Sequence, residues 1–148
     1  MSTAHSQIAT ALKDALLQEP AIADGAVYRS RTRAINKDTR RAVVVRISRS
    51  ASTLAAVIGG PTTWQTLVGI ECYGRGSGDQ LDEAADQLVA QVFERLAQMP
   101  TLGGQALDVL PLEGDTLAWD HDEFDTGLTC ITAQFVITHQ TYGRTLSQ

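Results

Sequence analysis

Aromatic residues, cysteines and long apolar runs are scarce in this chain, and each scarcity excludes a class of protein. Only 5% of the 148 residues are aromatic, so the core has to be built from Ala, Val, Leu and Ile. No segment approaches the roughly 20 apolar residues of a membrane span. The first residues lack the basic and apolar regions of a signal peptide, which predicts a protein that is intracellular when made.

The two cysteines, Cys72 and Cys130, lie inside strand-like segments and show no metal-ligand spacing. This placement favours buried free thiols, with a disulfide or a reactive thiol as the weaker alternatives. The three histidines, His5, His121 and His139, are scattered, and His5 lies near an N-terminus that is expected to fray. No serine or cysteine occupies a nucleophile motif. We therefore expect neither an enzyme nor a cofactor.

Two loops have a composition typical of binding sites, but neither has the residue spacing that such a site requires. The glycine-rich turn at residues 74–78 lacks the spacing and the lysine of a phosphate-binding loop, and acidic residues crowd the helix after it. It is interpreted as a flexible strand-to-helix connector. The acidic segment at residues 120–125 places Phe124 where a Ca²⁺ site needs an oxygen ligand. A solvated turn between strands is the better interpretation, and no metal site is expected.

Charge is present in ordinary amount but is unevenly distributed. The chain is 43% hydrophobic and 20% charged, which suits one globular domain spanning residues 1–148. The net charge is −5. Residues 1–49 carry nine basic and four acidic residues, a net of +5, and residues 50–148 carry three basic and thirteen acidic residues, a net of −10.

The positive charge is concentrated in an extended basic loop and hairpin at about residues 29–62. Arginine dominates this segment, which favours fixed contacts with carboxylates over diffuse attraction. A basic loop on one copy can meet an acidic surface on the next copy, a head-to-tail contact that closes into a ring. A solvated loop and nucleic-acid contact are the alternatives. The candidate subunit or partner contact residues are Arg29, Arg31, Arg33, Arg40, Arg41, Asp120, Asp122 and Glu123.

The periodicity of apolar residues predicts two helices and about four to five strands. The first helix covers residues 4–18 and ends before Pro20. The second follows a capping box formed by Ser77 and Gln80 and ends near Pro100. Strands are expected at about 26–28, 41–48, 64–73, 105–114 and 128–139, with a hairpin tip somewhere in 50–61.

This order, α-β-β-β-α-β-β, predicts an α+β fold in which two helices pack on a mostly antiparallel sheet. Pro111 places its strand at an edge or a bulge, because proline cannot donate a ladder hydrogen bond. The candidate core residues share the apolar faces of these elements. They are Leu12, Leu16, Val45, Trp64, Val68, Ile70, Leu88, Val92 and Phe135.

Three stretches of the sequence, in this order, resemble the tail terminator proteins of long-tailed phages, the minor tail protein U family of lambda-like phages. The first is the opening helix SQIATALKDALLQEP. The second is the strand TWQTLVGIECYGRG with the amphipathic helix QLDEAADQLVAQVFERLAQMP. The third is the closing pair VLPLEGDTLAWD and TGLTCITAQFVITHQTYGR. The basic, then apolar, segment at residues 29–61 departs from the family pattern.

The resemblance implies a small structural subunit that assembles into a homohexameric ring. Such a ring terminates the tail tube and joins the tail to the head, without catalysis. Its partners are then further copies of itself, the major tail tube protein and the head–tail connector protein, with no membrane. Its location is the host cytoplasm during assembly and then the virion tail. The alternatives are a neck or tail-completion protein and a small nucleic-acid-binding module that uses residues 29–49.

Overall fold

The computed structural model describes residues 2–29, 38–121 and 127–148. In these residues the α+β class is confirmed, with one strand more than predicted. The helices are α1 (Ala4–Leu17) and α2 (Glu83–Ala97). The strands are β1 (Val27–Arg29), β2 (Arg41–Thr53), β3 (Thr62–Arg75), β4 (Asp108–Pro111), β5 (Leu117–His121) and β6 (Leu128–Thr141).

The six strands form one sheet in the order β1-β2-β3-β6-β4, and β5 also pairs with β6. Among the strands that the structure describes, β1 and β2 form the one parallel pair, and the other pairs are antiparallel. Because β3 runs along the whole of one side of β6, β4 and β5 share the other side, opposite residues 135–138 and 129–133. Pro111 therefore lies in an edge strand, as its missing N–H predicts.

Both helices pack on one face of the sheet. On β3 and β6 burial alternates with the two-residue period of a strand, so every second side chain enters the core. Burying one such aliphatic or phenyl side chain stabilises the fold by about 1.5–3 kcal/mol. Of the candidate core residues, the buried cluster contains Leu12, Leu16, Val45, Val68, Ile70, Leu88, Val92 and Phe135.

Trp64 is the candidate core residue that this cluster leaves out. It is only partly buried, and its indole Nε1 donates to Thr141 Oγ1 at 2.9 Å. Its ring also meets the His5 ring edge-on, with the centroids 4.8 Å apart. The sequence places Trp64 in the core because it lies in phase with Val68. At that end of β3, however, its neighbours are polar side chains.

The first helix begins and ends close to the predicted residues. Thr3 caps it, since its side chain accepts a hydrogen bond from the Ser6 N–H at 3.1 Å. The C-cap, Gln18, has an extended backbone, which lets the chain turn before Pro20. None of the described helices combines the length and the apolar character needed to cross a membrane.

The second helix starts at Glu83, so the predicted capping box is wrong. Ser77 instead precedes a short 3₁₀ turn, Gly78–Gln80, and its side chain makes no cap hydrogen bond. The reason lies in the sheet, where the Gly76 N–H donates to Gly127 O at 3.0 Å and prolongs the pairing of β3 with the chain entering β6. The helix can begin only after the chain has left the sheet.

The glycine-rich turn is a close-packed corner and not the flexible connector expected from its composition. A Cβ added to Gly74 would lie 2.4 Å from Ala85 N, and one added to Gly76 would lie 2.4 Å from Gln80 O. Gly74 lets the backbone of α2 approach the end of β3, and Gly76 lets the chain just before α2 fold back onto the turn. The turn is therefore explained by packing.

Candidate assembly interface

The described contact residues lie at two opposite edges of the sheet. Arg41 and Asp120 are near the same end of the strands, and Arg29 is level with Leu117 of β5. Arg29 ends β1 and Arg41 begins β2, where it pairs with Gly74. Asp120 lies in β5, opposite Cys130. Three strands separate β1 from β5, so the two edges are about 19 Å apart at about 4.8 Å per spacing. One chain cannot bring these opposite charges together.

Half of the predicted contact residues lie outside the described residues. These are Arg31, Arg33, Asp122 and Glu123. Of the described ones, Arg29, Arg40 and Asp120 are exposed, and Arg41 is half-buried. The basic edge is therefore defined here by residues 29, 40 and 41, and the acidic edge by Asp120.

Several arginines hold the fold together. Arg41 donates to Asp24 Oδ2 at 2.9 Å, and Arg46 Nε donates to Glu71 Oε1 at 2.9 Å. Arg75 Nε donates to Thr39 O at 2.8 Å, which ties the start of β2 to the end of β3. The sequence predicts that the basic segment forms one contact surface. In the tertiary structure, some of its arginines bond within the fold and others stay exposed. Among its described arginines, those that keep an exposed side chain are Arg29, Arg40 and Arg49.

The acidic edge contains the strand that sequence reasoning missed. The predicted solvated turn began at Asp120, whereas Asp120 and His121 belong to β5 and the rest of that segment lies outside the described residues. All five residues of β5 are exposed, including Leu117 and Trp119, which is 52% exposed. The sequence signal for this strand is the alternation of Leu117 and Trp119. The signal is weak because β5 is only five residues long.

The cysteines are unsuited to nucleophilic chemistry. Both are free thiols, Cys72 buried and Cys130 half-buried, where the sequence favoured two buried thiols. Burial raises the pKa of Cys72 to about 12 and also raises the pKa of Cys130. Both thiols stay protonated at neutral pH. In the described part of the chain, no group of three or more His, Cys, Asp or Glu side chains is arranged to hold a metal ion.

A polar chain that the sequence did not reveal crosses the hairpin end of the sheet. His5 Nε2 lies 2.9 Å from Ser50 Oγ, Ser50 Oγ lies 2.8 Å from Thr66 Oγ1, and Thr66 Oγ1 lies 2.6 Å from His139 Nε2. Histidines separated by more than 130 positions give no local signal of this contact. The chain joins α1 to β2, β3 and β6, so His5 lies in a packed region and not in a frayed terminus.

Burial controls the chemistry of this histidine pair. His139 is fully buried, and desolvation, followed by repulsion from His5, lowers its pKa to about 4. Burial also lowers the pKa of His5. A serine beside a histidine suggests a nucleophile, yet the hydroxyl of Ser50 is also in hydrogen-bond contact with Thr66, and His139 is closed to solvent. The arrangement fits a structural network.

No protein-family model matches this chain, and no curated protein matches it by sequence. Among solved structures, it is similar to a chain in a structure titled "Virion of native gene transfer agent (GTA) particle". The two chains are 12% identical and superpose with a TM-score of 0.55 over 90% of this chain and 94% of the other. The likeness is one of fold.

Proposed function

We propose that this chain is a structural subunit of a phage-like particle that forms a homohexameric ring, terminates the tail tube and joins the tail to the head. The observation that carries the proposal is the fold shared with a chain of a gene transfer agent virion over nearly the full length of both. The order of sequence patterns shared with tail terminators supports the same role.

The two charged edges supply a physical route to a ring. A contact between the basic edge of one copy and the acidic edge of the next is heterologous, so it repeats around an axis until it closes. Arg29 and Arg40 on one edge then face Asp120 on the other. Exposed ion pairs contribute only about 0–1 kcal/mol each, so such rings associate weakly in isolation. Binding to a finished tube selects the ring, and premature rings do not compete with assembly.

In this function the protein acts by shape and charge, without catalysis or a cofactor. One face of the ring matches the last ring of the major tail tube protein. The other face gives no template for further tube growth and meets the head–tail connector protein. The protein then resides in the host cytoplasm during assembly and afterwards in the virion tail.

Native mass spectrometry at high protein concentration, together with electron microscopy in the presence of purified tail tube protein, tests this function. Six-membered rings, free or at the ends of tubes, are expected. A chain that stays monomeric with tube protein present contradicts the proposal. Rings that bind a connector but never a tube favour the alternative, a neck or tail-completion protein.

The exposed arginines at the basic edge support a second candidate, a small nucleic-acid-binding module. Arg40 is exposed and lies beside Arg41 at the start of β2. Binding through phosphate contacts weakens steeply as salt rises. A gel shift with duplex DNA at low ionic strength, lost on Arg40→Ala/Arg41→Ala substitution, supports this candidate. The absence of a shift at low ionic strength removes it.

A further inference from the structure

The exposed apolar side chains are confined mainly to two surfaces. Nine large hydrophobic residues are exposed in the described part of the chain, and seven of them fall on these surfaces. We call residues 54–61, which join β2 to β3, the hairpin tip, and residues 107–121, which include β4 and β5, the outer edge. The seven residues are Leu54, Val57 and Ile58 on the hairpin tip and Leu107, Leu110, Leu117 and Trp119 on the outer edge.

The hairpin tip holds the most exposed large aliphatic side chains of the described residues. Ile58 is 96% exposed and Val57 is 74% exposed. Keeping aliphatic side chains in water is unfavourable, and clusters of them mark interaction surfaces. The tip also lies within a long uncharged stretch, since no charged residue occurs between Arg49 and Glu71. A partner can cover it without burying a charge.

The chain segments that contain the two surfaces carry charges of opposite sign, and Arg40 and Arg41 lie at the end of β2 away from the tip. Residues 39–70 contain no acidic residue, and their charged side chains are Arg40, Arg41, Arg46 and Arg49. Between Arg95 and Arg144 no lysine or arginine occurs, so the charged side chains on the outer edge itself are acidic, and Arg49 of β2 lines a groove together with Leu112 of that edge. The acidic residues on the described outer edge are Asp108, Glu113, Asp115 and Asp120.

The two surfaces also lie on opposite sides of the same sheet. The hairpin tip joins β2 to β3, and the outer edge lies beyond β6. β4 pairs with β6 as far as Thr138. Three residues further along β6, Thr141 pairs with Thr62, the residue that directly follows the tip. Both surfaces stay exposed in one copy, and two copies placed side by side bring one surface against the other.

From these observations we infer that the hairpin tip of one copy docks on the outer edge of the next copy. The inference deepens the proposed function, on which it rests, because it names the apolar part of the contact between subunits. Arg29 and Arg40 meet Asp120 at one end of this contact, and the aliphatic side chains of the tip cover Leu107 and Leu110 at the other. Opposite charges orient the two copies, and apolar burial stabilises the contact.

Substitutions at Ile58 test the sign of the opposing charge. Both Ile58→Asp and Ile58→Lys remove the apolar side chain, but only the aspartate is repelled by an acidic outer edge. Sedimentation velocity is expected to show self-association weakened at least about tenfold by Ile58→Asp and distinctly less by Ile58→Lys. Tyr142→Asp is the matched control, because Tyr142 is 76% exposed but lies outside both surfaces. The self-association of Tyr142→Asp is expected to equal that of the wild type.

Mixing two defective chains identifies the partner surface. Ile58→Asp leaves the outer edge intact, and Leu110→Asp leaves the tip intact, so neither chain is expected to form rings alone. Their mixture is expected to give a one-to-one complex through the one intact pair of surfaces. Circular dichroism and a melting temperature equal to the wild type show that each variant is folded.

Results from the self-association experiments can overturn the inference. The results that do so are a wild-type chain that stays monomeric at the highest concentration tested, normal rings from Ile58→Asp, and a mixture that yields no complex. Capture of tube protein by a monomeric wild-type chain, lost on Ile58→Asp, assigns the tip to another protein and overturns it too. If the wild type forms rings through these surfaces but the rings never bind tubes or connectors, the proposed function fails and the inference stands.

Discussion

His139 shows how one buried side chain couples stability to pH. Its Nε2 is in contact with Thr66 Oγ1, and its Nδ1 has no hydrogen-bond partner among the described atoms. Desolvation lowers its pKa to about 4. Between this value and the ordinary value of about 6.5, the imidazole is neutral in the folded chain and protonated in an unfolded chain. The His5 imidazole beside it has a lowered pKa for the same reason.

We predict that the free energy of unfolding falls as pH falls from about 6.5 to about 4. Above pH 6.5 His139 is neutral in both states and the stabilisation is complete, and below pH 4 no further loss arises from this group. The loss attributable to His139 is about 3–4 kcal/mol at 1.36 kcal/mol per unit. Urea unfolding at several pH values measures it.

The variant His139→Gln keeps a side chain that can bond Thr66 but does not titrate, so its stability should change less over this range. His121→Gln, which removes an exposed imidazole, is the control and should follow the wild type. An NMR titration in which His139 of the folded wild type protonates near pH 6.5 would refute the explanation.

Gly74 tests whether the corner between β3 and α2 is close-packed. We predict that Gly74→Ala lowers the free energy of unfolding by about 2–4 kcal/mol, because its Cβ would collide with the backbone of Ala84 and Ala85. Gly69→Ala is the matched control on the same strand, where a Cβ would lie 3.7 Å from Thr132 Cγ2, an ordinary contact. Equal effects of the two substitutions in urea unfolding would contradict the close approach.

Among the elements, Arg95 joins the two helices. Arg95, in the last turn of α2, donates through Nη1 to Ala15 O at 2.6 Å and to Gln18 O at 3.0 Å. Its Nη2 donates to Pro20 O at 2.7 Å. These carbonyls lie at the C-terminal end of α1 and just after it, where a helix has unsatisfied acceptors and negative partial charge.

We predict that Arg95→Met lowers the free energy of unfolding by about 2–3 kcal/mol, because three carbonyls lose a charged donor. Arg95→Lys is expected to restore less than half of the loss, since one ammonium cannot reproduce the planar fork. Thermal or urea unfolding measures both. Arg144→Met, at an exposed arginine, is the control and should change stability by less than about 0.5 kcal/mol.

The elements that the sequence predicted best are those with a long apolar repeat. α1, β3 and β6 each carry apolar residues at a regular spacing over ten or more positions, and the structure forms them close to the predicted bounds. β5 was missed, because five exposed residues carry little periodicity. The start of α2 was misplaced, because the pairing of Gly76 with Gly127 is a long-range contact that overrides a local capping signal.

In the whole molecule, the charge split becomes a pair of sheet edges. We predict that Arg29→Glu/Arg40→Glu weakens self-association, because two cations that face the acidic edge become anions. We also predict that self-association of the wild type weakens between about 50 and 300 mM salt, roughly the range over which screening of exposed charges grows. The folding of this variant is expected to match the wild type, because both side chains are exposed. Light scattering with a parallel thermal melt separates the two effects.

The reciprocal substitution gives the matched control. Asp120→Arg alone should weaken association in the same way, and its combination with Arg29→Glu/Arg40→Glu should recover part of the loss. If both charge-reversed chains assemble like the wild type, the charged edges are not the contact.

The sequence by itself determined the class of the fold, the interior face of each long strand and helix, and the unequal charge of the two parts of the chain. Apolar spacing and residue charge are local properties, so they can be read along the chain. Only the tertiary structure decided that Trp64 is partly exposed, that distant histidines meet, and that arginines 41, 46 and 95 hold the fold together. Those outcomes depend on which strands become neighbours, and strand pairing is set by the packing of the whole chain.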